Sequence, residues 1–182
     1  MLLALSAYVF TRYLTYNEAF VVNNGIQFND PLMNALPAID VSLFIFGITY
    51  GSMLLYFFSE FKTPLFMHRI FVAYAVLLWF RIVALWLLPL AVPEDFILLV
   101  DPFLNNWIYP GDIRADLFFS GHAGLLFVMY FLSKNWLFLV LGISMSFLLM
   151  IQRVHYSIDV IAAFPFSYFV VRFTNILTSR IQ

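Results

Sequence analysis

The chain has 182 residues, of which 64% are hydrophobic and 10% charged, with a formal net charge of −1 and no cysteine. A soluble domain carries about 25% charged residues, so the composition points to an integral membrane protein, long enough for several spans and too short for a separate soluble domain. The near-neutral charge excludes the basic footprint of a nucleic-acid binder, and the lack of cysteine excludes disulfides and thiolate metal sites.

A bilayer span needs about 20 apolar residues, and six stretches are candidates for spans. The chain begins apolar at Met1-Leu2-Leu3-Ala4-Leu5 with no basic flank, which reads as a span rather than a cleaved signal. This first stretch covers roughly Leu2 to Tyr16 and continues weakly toward Val22. The second runs from about Val41 to Phe58 and the third from about Leu65 to Leu90, interrupted by Arg81. The fourth runs from Leu117 to Leu132, the fifth from Trp136 to Met150, and the sixth from Ser157 to Thr174. Ser59 to Pro64 and Ser133 to Asn135 are short enough to make antiparallel helix hairpins. The expected fold is an all-α, six-helix transmembrane bundle forming a single domain over residues 1–182.

Two longer connectors are polar. Asn17 to Asp40 carries Glu18, Asp30 and Asp40, with Pro31 and Pro37 as helix breakers. Ala91 to Asp116 carries Glu94, Asp95, Asp101, Asp112 and Asp116, with Pro93, Pro102 and Pro110. With six spans, both connectors lie on one side of the membrane, together with His155. Lys62, Arg69, Lys134, Arg172 and Arg180 sort to the other side. By the positive-inside rule that side is the cytoplasm, with both termini, and the polar connectors face the periplasm or a lumen. Arg12, Arg114 and Arg153 are exceptions to the sorting.

Ionisable groups inside apolar segments are costly and are functional candidates by default. Of three histidines, two fall in short polar islands: His122 in Ser120-Gly121-His122-Ala123-Gly124, and His155 in His155-Tyr156-Ser157-Ile158-Asp159. The spacing predicts His122 about one turn into the fourth helix and His155 at the start of the sixth, at similar depth. On a helix, His155 and Asp159 at i, i+4 share a face. A carboxylate there fixes the imidazole tautomer and makes the other nitrogen a better nucleophile or base. A second histidine across a small gap can protonate a leaving oxygen. Gly121, Ala123 and Gly124 permit close approach of a substrate or a neighbouring helix.

The blander readings are an interhelical hydrogen bond for His122 alone and an interfacial place for His68 beside Arg69. Two histidines and an aspartate at one depth favour chemistry instead. A metal site of two histidines and an aspartate fits the residue types, but no further polar ligand is placed beside them, so neither metal nor cofactor is expected. Arg81 costs about 2.5–3.5 kcal/mol inside a bilayer. It lies about nine residues, or ~13 Å, from the helix end, far for snorkelling. A cavity partner is expected: a phosphate gripped bidentately, or Asp159 or Asp116.

At these residues the chain resembles a known family. Asp116-Leu-Phe-Phe-Ser-Gly-His122 is similar to the G-D-x-L-F-S-G-H-T segment of sphingomyelin synthases, and His155-Tyr-Ser-Ile-Asp159-Val to their H-Y-T-I-D-V segment. Arg81 followed by Leu88-Pro89 and Val92-Pro93 is similar to their L-Y-x-x-R…L-P-x-P stretch. These enzymes belong to the superfamily of type 2 phosphatidic acid phosphatases, and the likeness covers about residues 66–173. It implies six transmembrane helices and an exoplasmic, metal-independent site. It implies His155 as nucleophile assisted by Asp159, a phosphohistidine intermediate, and His122 as the acid that protonates the leaving diacylglycerol. Asp116 matches an acidic family position and would orient His122, and Glu94 is a second supporting acid. Arg81, Ser120 and Gly121 would meet the phosphate or headgroup.

The chain departs from the wider superfamily in lacking a lysine followed, after six intervening residues, by arginine-proline. It has Leu149 where an arginine stands six residues before the second histidine, and Ala123 where relatives carry threonine. Arg153 would point elsewhere on a continuing helix. The first two departures favour the sphingomyelin synthase branch over a phosphate-monoester hydrolase. The chain also lacks the N-terminal domain of many eukaryotic relatives and resembles a minimal core.

The expected function is transfer of a phosphorylated headgroup from a glycerophospholipid to an acceptor such as ceramide, with ceramide or diacylglycerol among the lipids it would meet. Hydrolysis of the same bond, as a phospholipase C or lipid phosphatase, is the alternative. A non-catalytic transporter or lipid-binding protein is the reading from another class. The expected partners are phospholipid, the bilayer and a second copy of the chain.

Overall fold

The computed structural model describes residues 1–60, 64–99, 101 and 113–179, with residues 64–66 described by backbone alone. Lys62, Asp112, Pro102, Pro110 and Arg180, used above to sort charge and breakers, lie outside the described residues. The described chain is helical: α1 (Leu2–Asn24), α2 (Pro31–Asn34), α3 (Ser42–Glu60), α4 (Pro64–Leu87), α5 (Gly121–Ser133), α6 (Trp136–Ile151) and α7 (Ser157–Ser179). Among the described residues, three helical stretches are long and apolar enough to cross a membrane: Ser42–Glu60, Met67–Leu87 and Ser157–Ser179.

Six helices of 13 to 24 residues overlie the apolar stretches, but α1 continues to Asn24, so Asn17 and Glu18 lie on it and not in the connector; several helix ends follow local capping chemistry. Ser120 accepts from the Ala123 N–H and starts α5, so the helix begins at Gly121 and not at Leu117. Lys134, with φ 59°, closes α5 in the left-handed region, and Asn135 accepts from the Leu137 N–H to open α6. The polar connector after α1 holds one short helix that composition did not predict. Pro31 does not break it but occupies its first turn, where the missing N–H is no loss, and Asp30 caps it by accepting from the Leu32 and Met33 N–H groups.

The ends of α1, α4 and α6 gather with the starts of α3, α5 and α7. Ile26 and Leu90, just beyond α1 and α4, form a parallel bridge in which the Ile26 N–H donates to the Pro89 carbonyl at 2.8 Å. The Ile39 N–H, before α3, donates to the Ile151 carbonyl at the end of α6. Gln152, fully buried, joins the same end: its Oε1 accepts from the Val41 N–H, its Nε2 donates to Ser42 Oγ at 3.0 Å, and its carbonyl accepts from the Ile97 N–H. Successive long helices therefore run up and down. Among the cations sorted to the opposite side, Arg69, Lys134 and Arg172 do sit at or toward the other end of α4, α5 and α7.

α5 forms the centre of the bundle, packed on α4, α6 and α7, with Ala123 to Met129 all buried. α1 packs on α4 through Phe10, Leu14, Leu78 and Leu85, and α3 leans on α6. Inside, Ser167 Oγ donates to the Gly124 carbonyl at 2.9 Å, tying α7 to α5 where glycine lets the backbones approach. Outside, Leu43, Phe44, Trp86, Leu87, Ile161 and Phe169 are exposed. In water such a surface would drive aggregation, whereas lipid tails accommodate it.

Candidate active site

Both histidines line one cavity of about 140 Å³ at the gathered helix ends, with Asp101, Arg114 and Asp116 as its other ionisable walls. Leu14, Phe46, Phe96 and Leu99 give it an apolar side. His122 is the second residue of α5, closer to the helix start than the one-turn depth expected from sequence, because Ser120 caps the helix. The Phe46 ring meets the His122 ring edge-on at 6.1 Å. His155, Arg81, Asp116 and Asp101 all lie within electrostatic range of His122.

His155 is not on a helix. α6 ends at Ile151, Arg153 turns the chain with φ 60°, and α7 starts only at Ser157. The pairing predicted for a helical face is nevertheless made: His155 Nδ1 lies 3.3 Å from Asp159 Oδ2. The reason is capping. Asp159, in the first turn of α7, reaches back to accept from the Tyr156 N–H at 3.0 Å, the reciprocal half of a capping box. That reach lays the carboxylate alongside His155. Asp159 is fully buried and its Oδ1 has no hydrogen-bond partner among the described residues, while His155 is 4% exposed. The Ser120 N–H donates to the Asp159 carbonyl at 3.3 Å, so the starts of α5 and α7 are joined through the main chain.

Arg81 is 5% exposed and does find a partner inside the protein. Its Nη2 pairs with Asp116 and its Nε donates to the Phe119 carbonyl at 3.0 Å. Its guanidinium also lies 4.9 Å from the Phe10 ring centre. The head packs so closely on Gly121 that a Cβ there would stand 2.8 Å from Arg81 Cζ. Arg81 and Gly121 thus back the cavity wall, and Asp116 directs a carboxylate oxygen to Arg81. Ser120 is fully buried as the α5 cap. Glu94 is not brought to the histidines. It lines a neighbouring cavity of about 190 Å³ with Asp95, Arg153 and Tyr156.

Several residues that hold the site carry no motif. Asp30 Oδ2 accepts from the Ser157 N–H, fastening the α1–α3 connector to the start of α7. Burial pushes the Asp30 carboxyl up, but hydrogen bonds from Ser157, Met33 and Leu32 outweigh it and hold the group below its ordinary value. Arg153 donates to the Met33 and Leu36 carbonyls, both at 2.8 Å, so it points away from the histidines, through its left-handed turn rather than along a helix. Tyr156 donates to the Ala91 carbonyl at 3.0 Å; burial and then the Asp159 charge push its phenol up to about 12, which keeps it a donor. Asp101 was read only as one acid of a connector, but Tyr50 of α3 donates to it at 2.6 Å and holds it at the cavity. The signal for each was a polar residue in an apolar neighbourhood, without a spacing that names its partner.

Chemically, the arrangement offers a nucleophilic nitrogen backed by a buried carboxylate, a second imidazole across a small cavity, and a paired arginine behind it. Among the described residues, no three His, Asp, Glu or Cys side chains gather to hold a metal ion. Comparison with protein-family models, with curated proteins and with solved structures returns no match to this chain.

Proposed function

We propose that the protein is a multi-pass membrane enzyme that transfers phosphorylated lipid headgroups, with its site on the exoplasmic face and both termini in the cytoplasm. The observation that carries this reading is the meeting of His122 and His155, borne by separate segments, on one small cavity, with Asp159 behind His155. In this reading α1 and α3 to α7 all cross the bilayer. Lipid tails lie along the apolar outer surface, and the phosphate enters between the two imidazoles.

The geometry supports the following first step. With His155 Nδ1–H facing Asp159, the Nε2 lone pair is free to attack phosphorus. The bond from phosphorus to the glycerol oxygen breaks, and that oxygen takes a proton from His122. The product is diacylglycerol and a headgroup phosphate on His155, whose positive charge faces Asp159. In the second step an acceptor hydroxyl gives its proton to His122 and attacks phosphorus, and the electron pair of the P–N bond returns to His155. Arg81 and Asp116 support the wall next to His122. Water as acceptor turns the same steps into hydrolysis.

Purified protein in liposomes, given isotope-labelled phospholipids with and without ceramide, tests the proposal by product mass. A headgroup moved to ceramide supports transfer, and a released phospho-headgroup or phosphate makes the enzyme a hydrolase. No turnover on any lipid, or full turnover by His155→Ala, overturns the reading and leaves a binding or transport role.

A further inference from the structure

One wall of the cavity has no secondary structure of its own. Residues 113–116 supply Ile113, Arg114 and Asp116 to the lining, yet they form neither helix nor strand. Ala115 in this segment is buried, and a buried residue's peptide groups need partners. Here they come from α1. Glu18 Oε2 accepts from the backbone N–H of Arg114 at 3.0 Å and of Ala115 at 2.8 Å. Asn17 Nδ2 donates to the Ala115 carbonyl at 2.8 Å. Both peptide groups of Ala115 are thus held, and Asn17 and Ala115 are each 2% exposed.

These bonds are not required to dock α1, which is already seated on α4 by the Phe10, Leu14, Leu78 and Leu85 cluster. The dependence runs the other way. α1 is a fixed post, and the wall is hung on it. The next residue in the wall, Asp116, pairs with Arg81, whose head presses on Gly121 beside His122.

We propose that Asn17 and Glu18 are positioning residues of this site. They hold the wall 113–116 against the His122 segment and set the fit of the cavity to a phosphorylated ligand. This rests on the function proposed above. The wall touches neither His155 nor Asp159 through any hydrogen bond among the described residues, so its loss is expected in substrate fit rather than in the chemical step.

The test compares Glu18→Ala, Glu18→Gln and Asn17→Ala with wild type, full length, in liposomes. Glu18→Ala and Asn17→Ala are expected to raise KM about tenfold while kcat stays within about twofold. Glu18→Gln, whose amide oxygen still accepts from both N–H groups, is expected to keep KM within about twofold of wild type. A purely structural role lowers the folded fraction and with it apparent kcat, and gives no such split. Wild-type KM in Glu18→Ala overturns the proposal, as does a Glu18→Gln defect equal to that of Glu18→Ala. If wild type turns over no lipid, the enzymatic reading falls by itself. The clamp is then decided by hydrogen exchange: faster exchange at Arg114 and Ala115 in Glu18→Ala alone sustains it, and unchanged exchange refutes it.

Discussion

The contact between Gly121 and Arg81 yields the sharpest prediction. In Gly121→Ala the new methyl group would lie 2.8 Å from Cζ and 3.3 Å from Nε of Arg81, and closer still to Nη1. Neither side can give easily. Gly121 is the first residue of α5, fixed by the Ser120 cap, and Arg81 is 5% exposed and tied to Phe119 and Asp116. Moving the guanidinium costs its bond to the Phe119 carbonyl, about 1.5–3 kcal/mol for a charged donor. The ion pair adds little, because Asp116 keeps 29% of its side-chain surface open to solvent. Alanine returns at most about 1 kcal/mol through helix propensity. The net expectation is a loss of about 2 kcal/mol, or roughly 4–8 °C in melting temperature for a chain of this size. Gly124→Ala is the matched control. Its Cβ would meet Leu77, Phe119 and Ser167 at 3.5–3.6 Å, ordinary contact, and the expected change is within about 1 kcal/mol. Melting in detergent by intrinsic fluorescence, with lipid turnover in parallel, measures both. Equal melting points for Gly121→Ala and wild type, with unchanged turnover, would refute the packing argument.

Other expectations follow from the same site. His155→Ala should lower turnover at least about a thousandfold while the protein still folds, since it removes the proposed nucleophile; mass spectrometry of the labelled products reads this directly. Asp159→Asn keeps an acceptor for the Tyr156 N–H but faces His155 without a charge, so kcat should fall about a hundredfold with little change in melting temperature. Asp30 is held below its ordinary carboxyl value, so its contribution to stability is complete above about pH 4. That contribution fades as pH falls through the lower, folded value. A melting series at acid pH should therefore show Asp30→Asn converging on wild type, and a constant gap would contradict the assignment. Gly142→Ala drives a methyl group into the Phe127 ring, 2.8 Å from Cδ1, and should destabilise by about 1–3 kcal/mol without a selective effect on KM.

Much of the helical order was legible because the stretches are apolar and polar residues separate them, three of them as helices long enough to cross a membrane among the described residues. The ends were less so, since a helix start depends on one side chain reaching back, as at Ser120, where hydropathy alone carried the fourth span back to Leu117. For the candidate site, the spacing of His155 and Asp159 pointed to contact on a helical face. The contact arises instead from Asp159 capping α7, which i, i+4 spacing alone does not distinguish. Arg81 was flagged by cost, and Asp116 stood among its expected partners. Nothing in the spacing separated that pair from one with Asp159, because α4 and the 113–116 wall meet only through tertiary packing. Asn17, Glu18 and Asp30 looked like ordinary loop polarity, and their roles depend on backbone groups about a hundred residues away.

The link from the Ser120 amide to the Asp159 carbonyl has an evolutionary corollary. It ties the segments that carry His122 and His155, the proposed acid and nucleophile, through the polypeptide backbone and apart from the side chains that line the cavity. Descendants of such a protein could exchange Phe46, Phe96, Leu99 or Ile113 to admit new headgroups, without retuning the reach between the two imidazoles. Diversity would then accumulate in the lining while the reacting pair was inherited as one unit.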